Sequence, residues 1–404
     1  MSVRTTCARV AGVAALVAIA ALAPACAHDG GASSAAPKAT STTTTSVAPF
    51  NGPGDFYDAP SPLTKGKPGD LIRYQPVATT TNADRTLWRV MYHSQDARDR
   101  DVAVTGLVSV PTATAPSGGW PVLSWGHGTS GLAPQCAPSR TATSVPEFGI
   151  DGVVAASDFP GLGPNGQRHS YLSGVSEGHS VIDAVRAAGH LPGATTSSEW
   201  AAAGISQGGH AVLFASELAH SYAPELKLVG TVAMAPATEL DRSFPGDVPL
   251  VVRSIQAMAL YGIAEDHPEI VPKDYASPTL QAASAVLDDG CVAEIASSFG
   301  AIPSDQLWTT DPYTTDLGKR IAQANSPGQT VFDAPLLVVQ GDKDLVVAPA
   351  RTDAYVQKVC AEGQNLSRLQ VPGADHNLKS DEADAQIAAW LQARFAHQKA
   401  TSEC

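Results

Sequence analysis

Gly204-Ile205-Ser206-Gln207-Gly208-Gly209-His210 is the stretch on which the reading of this chain turns. An apolar run, Trp200-Ala201-Ala202-Ala203, precedes it, and a helix-like one, Ala211-Val212-Leu213-Phe214-Ala215, follows. Strand, then G-x-S-x-G, then helix is the context of a nucleophile elbow, a turn so sharp that it lifts one serine hydroxyl clear of the sheet. Side chains two residues to either side of that serine would collide, and Gly204 and Gly208 have none. Gly209 adds room for close helix packing. In a chain with 35 glycines the motif alone also arises as a plain glycine turn, so the flanking strand and helix single it out. Ser206 is the candidate nucleophile.

A serine hydroxyl needs a base to take its proton and an acid to orient that base. On such an elbow the partners follow in the order Ser, Asp or Glu, His. That order prunes the 11 histidines to His376 and His397 once an acid is chosen. The acid belongs just past a late strand, where Gln340-Gly341-Asp342-Lys343-Asp344-Leu345-Val346-Val347 offers two. Asp344, three residues beyond Gly341 and followed by apolar residues that fix the loop, is preferred to Asp342. A calcium loop is the rival reading of this pair, but Val346 and Val347 fall where oxygen ligands are needed. His376 sits in Gly373-Ala374-Asp375-His376-Asn377, between a short strand and the final helix, while His397 falls at a helix end where exposure is the default.

Developing negative charge on the substrate oxygen needs donors. The backbone N–H of Gln207 is one by construction of the elbow. The second is expected from Gly126-His127-Gly128-Thr129-Ser130-Gly131, at Gly128 or Thr129, with His127 read equally well as a histidine that holds the turn. Gly161-Leu162-Gly163-Pro164-Asn165-Gly166 matches a dinucleotide fingerprint in form, but Pro164 and the absence of a helical pattern directly after make it a decoy. No cofactor is expected.

Around these motifs the chain reads as α/β. Leu71–Tyr74, Leu87–His93 and Asp101–Val110 alternate as antiparallel strands separated by turn residues. After Pro121, shorter apolar runs at Val122–Trp125, Gly152–Ala156, Leu228–Met234 and Pro335–Val339 alternate with helical patterns, the mark of parallel β-α-β units. Val181, Ala184, Val185 and Ala188 share one face of the helix over Gly178–Ala188; Ala385, Ile387, Ala388 and Leu391 are expected along one side of the helix over Glu382–Phe395. The strands near 234 and 335 lie about 100 residues apart, far more than one crossover helix needs. Residues 240–328 are therefore an insertion at the carboxyl edge of the sheet. Its apolar helix Val251–Tyr261 reads as a lid lining an acyl pocket, or more plainly as a cap with its own core.

Residues 1–27 carry Arg4 and Arg9, an apolar run Val10–Leu22 and a small-residue site Ala25-Cys26-Ala27, the pattern of an export signal. Lipoprotein attachment at Cys26, with envelope association, is the alternative. Residues 28–60 include five threonines among residues 40–45 and read as a disordered Ser/Thr/Ala-rich linker, leaving 61–404 as the folded domain. The net charge of -13 argues against nucleic acid or an anionic membrane surface as partner. Cys136, Cys291, Cys360 and Cys404 follow the signal; two disulfides are expected, in any of three pairings, and no C-x-x-C spacing suggests zinc.

Through most of residues 60–404 the chain resembles the secretory lipases, the Candida lipase A-like serine esterases. The resemblance rests on Asp158-Phe159-Pro160-Gly161-Leu162-Gly163, Val181–Ala188, the elbow and Cys136-Ala137-Pro138-Ser139. It implies an α/β-hydrolase fold with an inserted helical cap, no cofactor, hydrolysis of carboxylic esters such as acylglycerols, and a Ser206, Asp344, His376 triad. It also implies Cys136–Cys291 and Cys360–Cys404 pairing. The chain departs from the family in the oxyanion loop: members carry an acidic residue ahead of the Cys-Ala-Pro-Ser run, and here stand Thr129 and Ser130. The resulting expectation is a secreted serine hydrolase acting on lipid or other small esters through an acyl-enzyme. An acyltransferase on the same triad is one rival, separated by product analysis with an added alcohol. A non-catalytic envelope protein is the other, separated by fluorophosphonate labelling.

Overall fold

A computed structural model of the chain describes residues 47–78, 84–242 and 249–404; the expected export signal and residues 28–46 of the expected linker lie outside them. Among the described residues nine strands form one sheet in the order β1-β2-β3-β5-β4-β6-β7-β8-β9. Strands β1 (Leu71–Val77), β2 (Arg85–Gln95) and β3 (Asp101–Pro111) pair antiparallel, and β3 is also antiparallel to β5 (Val153–Ser157). From there β4 (Trp120–Gly126), β6 (Thr196–Ile205), β7 (Lys227–Met234), β8 (Leu336–Gly341) and β9 (Leu366–Val371) run parallel. The central strands are apolar on both faces because helices cover both. Helices α1 (Gly174–Ala188) and α2 (Gln207–Tyr222) pack over one face, bringing Val181, Val185 and Leu213 onto Trp200 and Val122. On the other face Ile387 and Leu391 meet Ala201, Val232 and Val339.

Between β7 and β8 come α3 (Leu250–Ile263), the short helices α4 (Pro272–Tyr275), α5 (Pro278–Ala283) and α6 (Val286–Asp289), then α7 (Val292–Gly300) and α8 (Asp316–Ala324). Their own core, with Met258, Leu280, Ile295, Phe299 and Ile321, also takes in Leu132 and Tyr171 from outside residues 240–328. Cap and sheet domain thus share apolar surface. Helix α9 (Pro349–Ala361) joins β8 to β9, and α10 (Asp381–Phe395) closes the chain.

Two details differ from the sequence reading. Residues 47–60 belong to the packed domain rather than to a linker reaching residue 60. Phe50 N–H donates to Tyr74 O, and Phe56 and Tyr57 are buried against Met91 and Ala103. On α10, Ala385 faces solvent; the buried positions are Ala383, Ile387, Leu391 and Arg394, whose spacing of four, four and three follows one helical stripe that Ala385 does not join.

Candidate active site

Strand β6 ends at Ile205 and α2 begins at Gln207, so one residue makes the turn. Ser206 takes φ 57° and ψ −115°, a conformation that costs a non-glycine residue about 1–3 kcal/mol. The surroundings enforce it: Ser206 N–H donates to Met234 O at 2.8 Å, while Ser206 O accepts from His210 N–H at 3.0 Å and Ala237 N–H at 3.2 Å. The requirement for small neighbours is literal. A Cβ on Gly208 would stand 1.9 Å from Gly126 O, and one on Gly204 would stand 2.3 Å from Gly208 O. The ends of β4 and β6 and the start of α2 therefore meet backbone to backbone.

Ser206 lines a cavity of about 220 Å³ together with His376, Gly128 and Thr129. Val251, Ile255 and Met258 of α3 and Val292 and Ile295 of α7 form its apolar wall. The cap thus faces the serine. His376 Nδ1 lies 2.8 Å from Asp344 Oδ2, and because a carboxylate oxygen only accepts, Nδ1 carries the proton and Nε2 is left as a base. Asp344 is itself fixed from three sides. Its Oδ1 accepts from Val346 N–H at 2.8 Å and Val347 N–H at 2.9 Å, and Oδ2 accepts from Gln340 Nε2 at 3.1 Å. Burial pushes the Asp344 pKa up, but the His376 hydrogen bond and charge with the two amides outweigh it and hold the carboxyl below its usual range. Asp342, the other carboxylate of the loop, accepts from Gly373 N–H at 2.7 Å instead. His397 stays exposed at the chain's end, 3.4 Å from Glu199.

The loop after β4 approaches the serine closely: a Cβ on Gly128 would lie 4.0 Å from Ser206 Cβ. His127 shapes that loop from within, with Nδ1 2.6 Å from Gly128 O and its ring packed on Phe159 at 4.5 Å. The disulfide Cys136–Cys291, the Gly131–Cys291 bridge and the Val292 N–H to Ser130 O bond at 2.8 Å fasten it to the start of α7. The second disulfide, Cys360–Cys404, pins the C-terminal tail. Asp158, first residue of the Asp158–Gly163 run and three residues ahead of the glycine-rich decoy, accepts from Ser139 N–H at 2.9 Å and Thr105 Oγ1–H at 2.6 Å. That segment clamps the Cys136–Ser139 turn.

Beneath the elbow lies a buried polar group that sequence reasoning missed. Gln207 Nε2 donates to Glu177 Oε1 at 2.8 Å and to His169 Nε2 at 2.6 Å. Glu177 Oε2 accepts from His210 Nδ1–H at 2.8 Å. Burial lowers the pKa of His169, in keeping with a neutral ring that donates through Nδ1 to Pro160 O at 2.7 Å. Gln207, whose N–H is the candidate oxyanion donor, is thereby held through its side chain as well as its helix. Glu177 shares α1 with Ser176, His179, Ser180, Asp183 and Arg186, so nothing in the local pattern singles it out.

Sheet order, elbow and inserted cap together define an α/β-hydrolase. Candida antarctica lipase A in its closed state shares the fold, with a TM-score of 0.73 at 20% identity over 88% of each chain. The model of the secretory lipase family matches residues 150–403, and the chain belongs to that family. Among relatives, Lipase A of Moesziomyces aphidis is 24% identical over 361 residues, covering 81% of this chain and 76% of that protein. A probable inactive lipase of Mycobacterium tuberculosis is 23% identical over 368 residues, 84% of this chain and 81% of that protein.

Proposed function

We propose that this chain is an exported carboxylic ester hydrolase that cleaves lipid or other small esters through an acyl-enzyme on Ser206. The observation that carries the reading is a strained serine facing one cavity with a histidine whose far nitrogen is bound to a buried aspartate. Ser206 Oγ attacks the ester carbonyl as His376 Nε2 takes its proton. The proton passes to the departing alkoxide, and water then repeats the sequence to release the acid. Asp344 keeps His376 in the tautomer the step needs. The apolar wall from α3 and α7 receives the acyl chain. Export and an extracellular site of action agree with the basic, then apolar, N-terminal stretch, and no helix among the described residues is long and apolar enough to cross a membrane.

Hydrolysis of p-nitrophenyl esters from butyrate to palmitate, with Ser206→Ala alongside, tests this. The variant should lose on the order of a millionfold in kcat, and a loss under about tenfold would sink the assignment. The relative named a probable inactive lipase supports a second, non-catalytic reading. Under it the wild-type chain would bind esters without turning any over.

A further inference from the structure

Thr129 lines the cavity with Ser206, and its Oγ1 lies 2.7 Å from the Tyr171 hydroxyl. Tyr171 is 2% exposed, in the segment leading into α1. Its position is closely defined. A Cβ on Gly262 of α3 would stand 2.5 Å from Tyr171 Cβ, the next residue's N–H donates to Glu177 Oε1 at 2.9 Å, and the ring meets His169 edge-on. It also lines a small, mostly apolar cavity inside the cap with Leu240, Leu260 and Ile263, where Tyr313 and Asn325 are the polar members.

Two hydroxyls can share one hydrogen bond in two directions. Among the described residues Thr129 Oγ1 is the one hydrogen-bond partner of the Tyr171 hydroxyl, so if Thr129 donated the phenol proton would be left without an acceptor, and a buried donor left unmade costs about 1–3 kcal/mol. If Tyr171 donates, every proton has a use: the phenol satisfies itself on Thr129 Oγ1, and the threonine proton is turned toward the cavity. Burial raises the Tyr171 pKa well above its usual value, so the phenol keeps its proton throughout the working range. Ser130, the neighbouring hydroxyl, is not among the cavity's lining residues, and its carbonyl is tied to Val292.

We propose that the Thr129 hydroxyl, aimed by a hydrogen bond from Tyr171, is the second donor of the oxyanion hole beside Gln207 N–H, with Tyr171 as its positioning residue. The proposal rests on Ser206 being the nucleophile. As the Ser206 Oγ–carbon bond forms and its proton moves to His376 Nε2, the carbonyl π pair moves onto oxygen. That oxygen accepts from Gln207 N–H and Thr129 O–H, and no proton changes hands there. When the tetrahedral intermediate collapses, the carbon–alkoxide bond breaks and His376 returns the proton to the leaving oxygen.

The test is the kcat and KM of Thr129→Val, Thr129→Ser, Tyr171→Phe and Thr129→Val/Tyr171→Phe on p-nitrophenyl butyrate, with Ser206→Ala in parallel. Thr129→Val should lower kcat about 10²–10³-fold while KM moves less than about threefold, and Thr129→Ser should recover most of it. Tyr171→Phe should cost about tenfold alone and under about twofold when Thr129 is already Val. Affinity for a trifluoromethyl ketone, whose adduct carries the oxyanion, should fall with kcat across the series, a readout independent of turnover. Thr129→Val within about threefold of wild type in kcat, or an equal Tyr171→Phe effect in both backgrounds, overturns the proposal while leaving Ser206 in place. An active Ser206→Ala instead removes the nucleophile assignment and this proposal with it. If Thr129→Val fails to fold, Thr129→Ala with the same ketone titration decides.

Discussion

Replacing Asp344 by Asn changes one atom, and the surrounding bonds dictate where that atom goes. Val346 N–H and Val347 N–H, at 2.8 and 2.9 Å, hold the side-chain oxygen on their side. The new amide nitrogen must then take the place of Oδ2, 2.8 Å from His376 Nδ1 and 3.1 Å from Gln340 Nε2. Gln340 cannot turn over to help. Its Oε1 accepts from Thr352 Oγ1–H at 2.6 Å, and its Nε2 faces Gly341 O and Val347 O at 3.2 and 3.3 Å. A donor therefore faces a donor, at about 1–3 kcal/mol of stability. His376 is driven to accept at Nδ1 and carry its proton on Nε2, where it can no longer take one from Ser206. In serine proteases the same substitution costs about 10⁴ in kcat, or about 5.5 kcal/mol, and the same size of loss is expected here. Asp344 is 2% exposed and does not line the cavity, so KM should stay within about threefold. Steady-state kinetics on p-nitrophenyl butyrate at neutral pH, with a melting curve for each protein, measures both. A variant within about tenfold of wild-type kcat would refute the tautomer argument.

Three further outcomes follow from other parts of the fold. Replacing Cys136 and Cys291 with Ser frees a loop spanning 155 residues, for which the chain-entropy treatment gives about 5 kcal/mol; the melting temperature should drop, and an unchanged melt would contradict the account. Met258 lies 1% exposed on the cavity wall. Met258→Ala should raise the octanoate-to-butyrate ratio of kcat/KM by about tenfold, read from a chain-length series, and a ratio that stays flat would place the acyl chain elsewhere. Glu217 of α2 is raised to about 7 by burial, which outweighs the Gly328 and Gln329 amides. Its folded state holds a proton more tightly than the unfolded chain, so its contribution is full below the unfolded value of 4.5 and is lost as pH rises through about 7. Denaturant melts across that window should show Glu217→Gln flattening the decline by up to about 1.4 kcal/mol per pH unit; equal slopes would rule this out.

What was legible in the sequence shares one property: the physics acts over a few neighbouring residues or leaves one arrangement. The elbow is written in Gly204 and Gly208 because no side chain fits there. That Asp344 and His376 pair, as their 2.8 Å contact shows, follows from chain order, and the cap from too many residues between two strands. Strand order was not legible, since the apolar run at Val153–Ser157 does not say that it lies between β3 and β4. Phe56 and Tyr57, two aromatics among Pro, Gly and Asp, carry no period, yet they bury against β2 and β3. Thr129 and Tyr171 stand 42 positions apart, and Glu177 and His210 33 apart. Each pair meets only after loop, cap and helices have packed, which no local pattern records.

The central claim is that Ser206 is the nucleophile. Intact-mass and peptide-mapping analysis of the full chain after reaction with a fluorophosphonate tests it most directly. One adduct per chain on the peptide containing Ser206, absent when Ser206 is Ala and blocked by prior incubation with an ester substrate, is the predicted result. No adduct, or one that persists in the Ala variant, would contradict it.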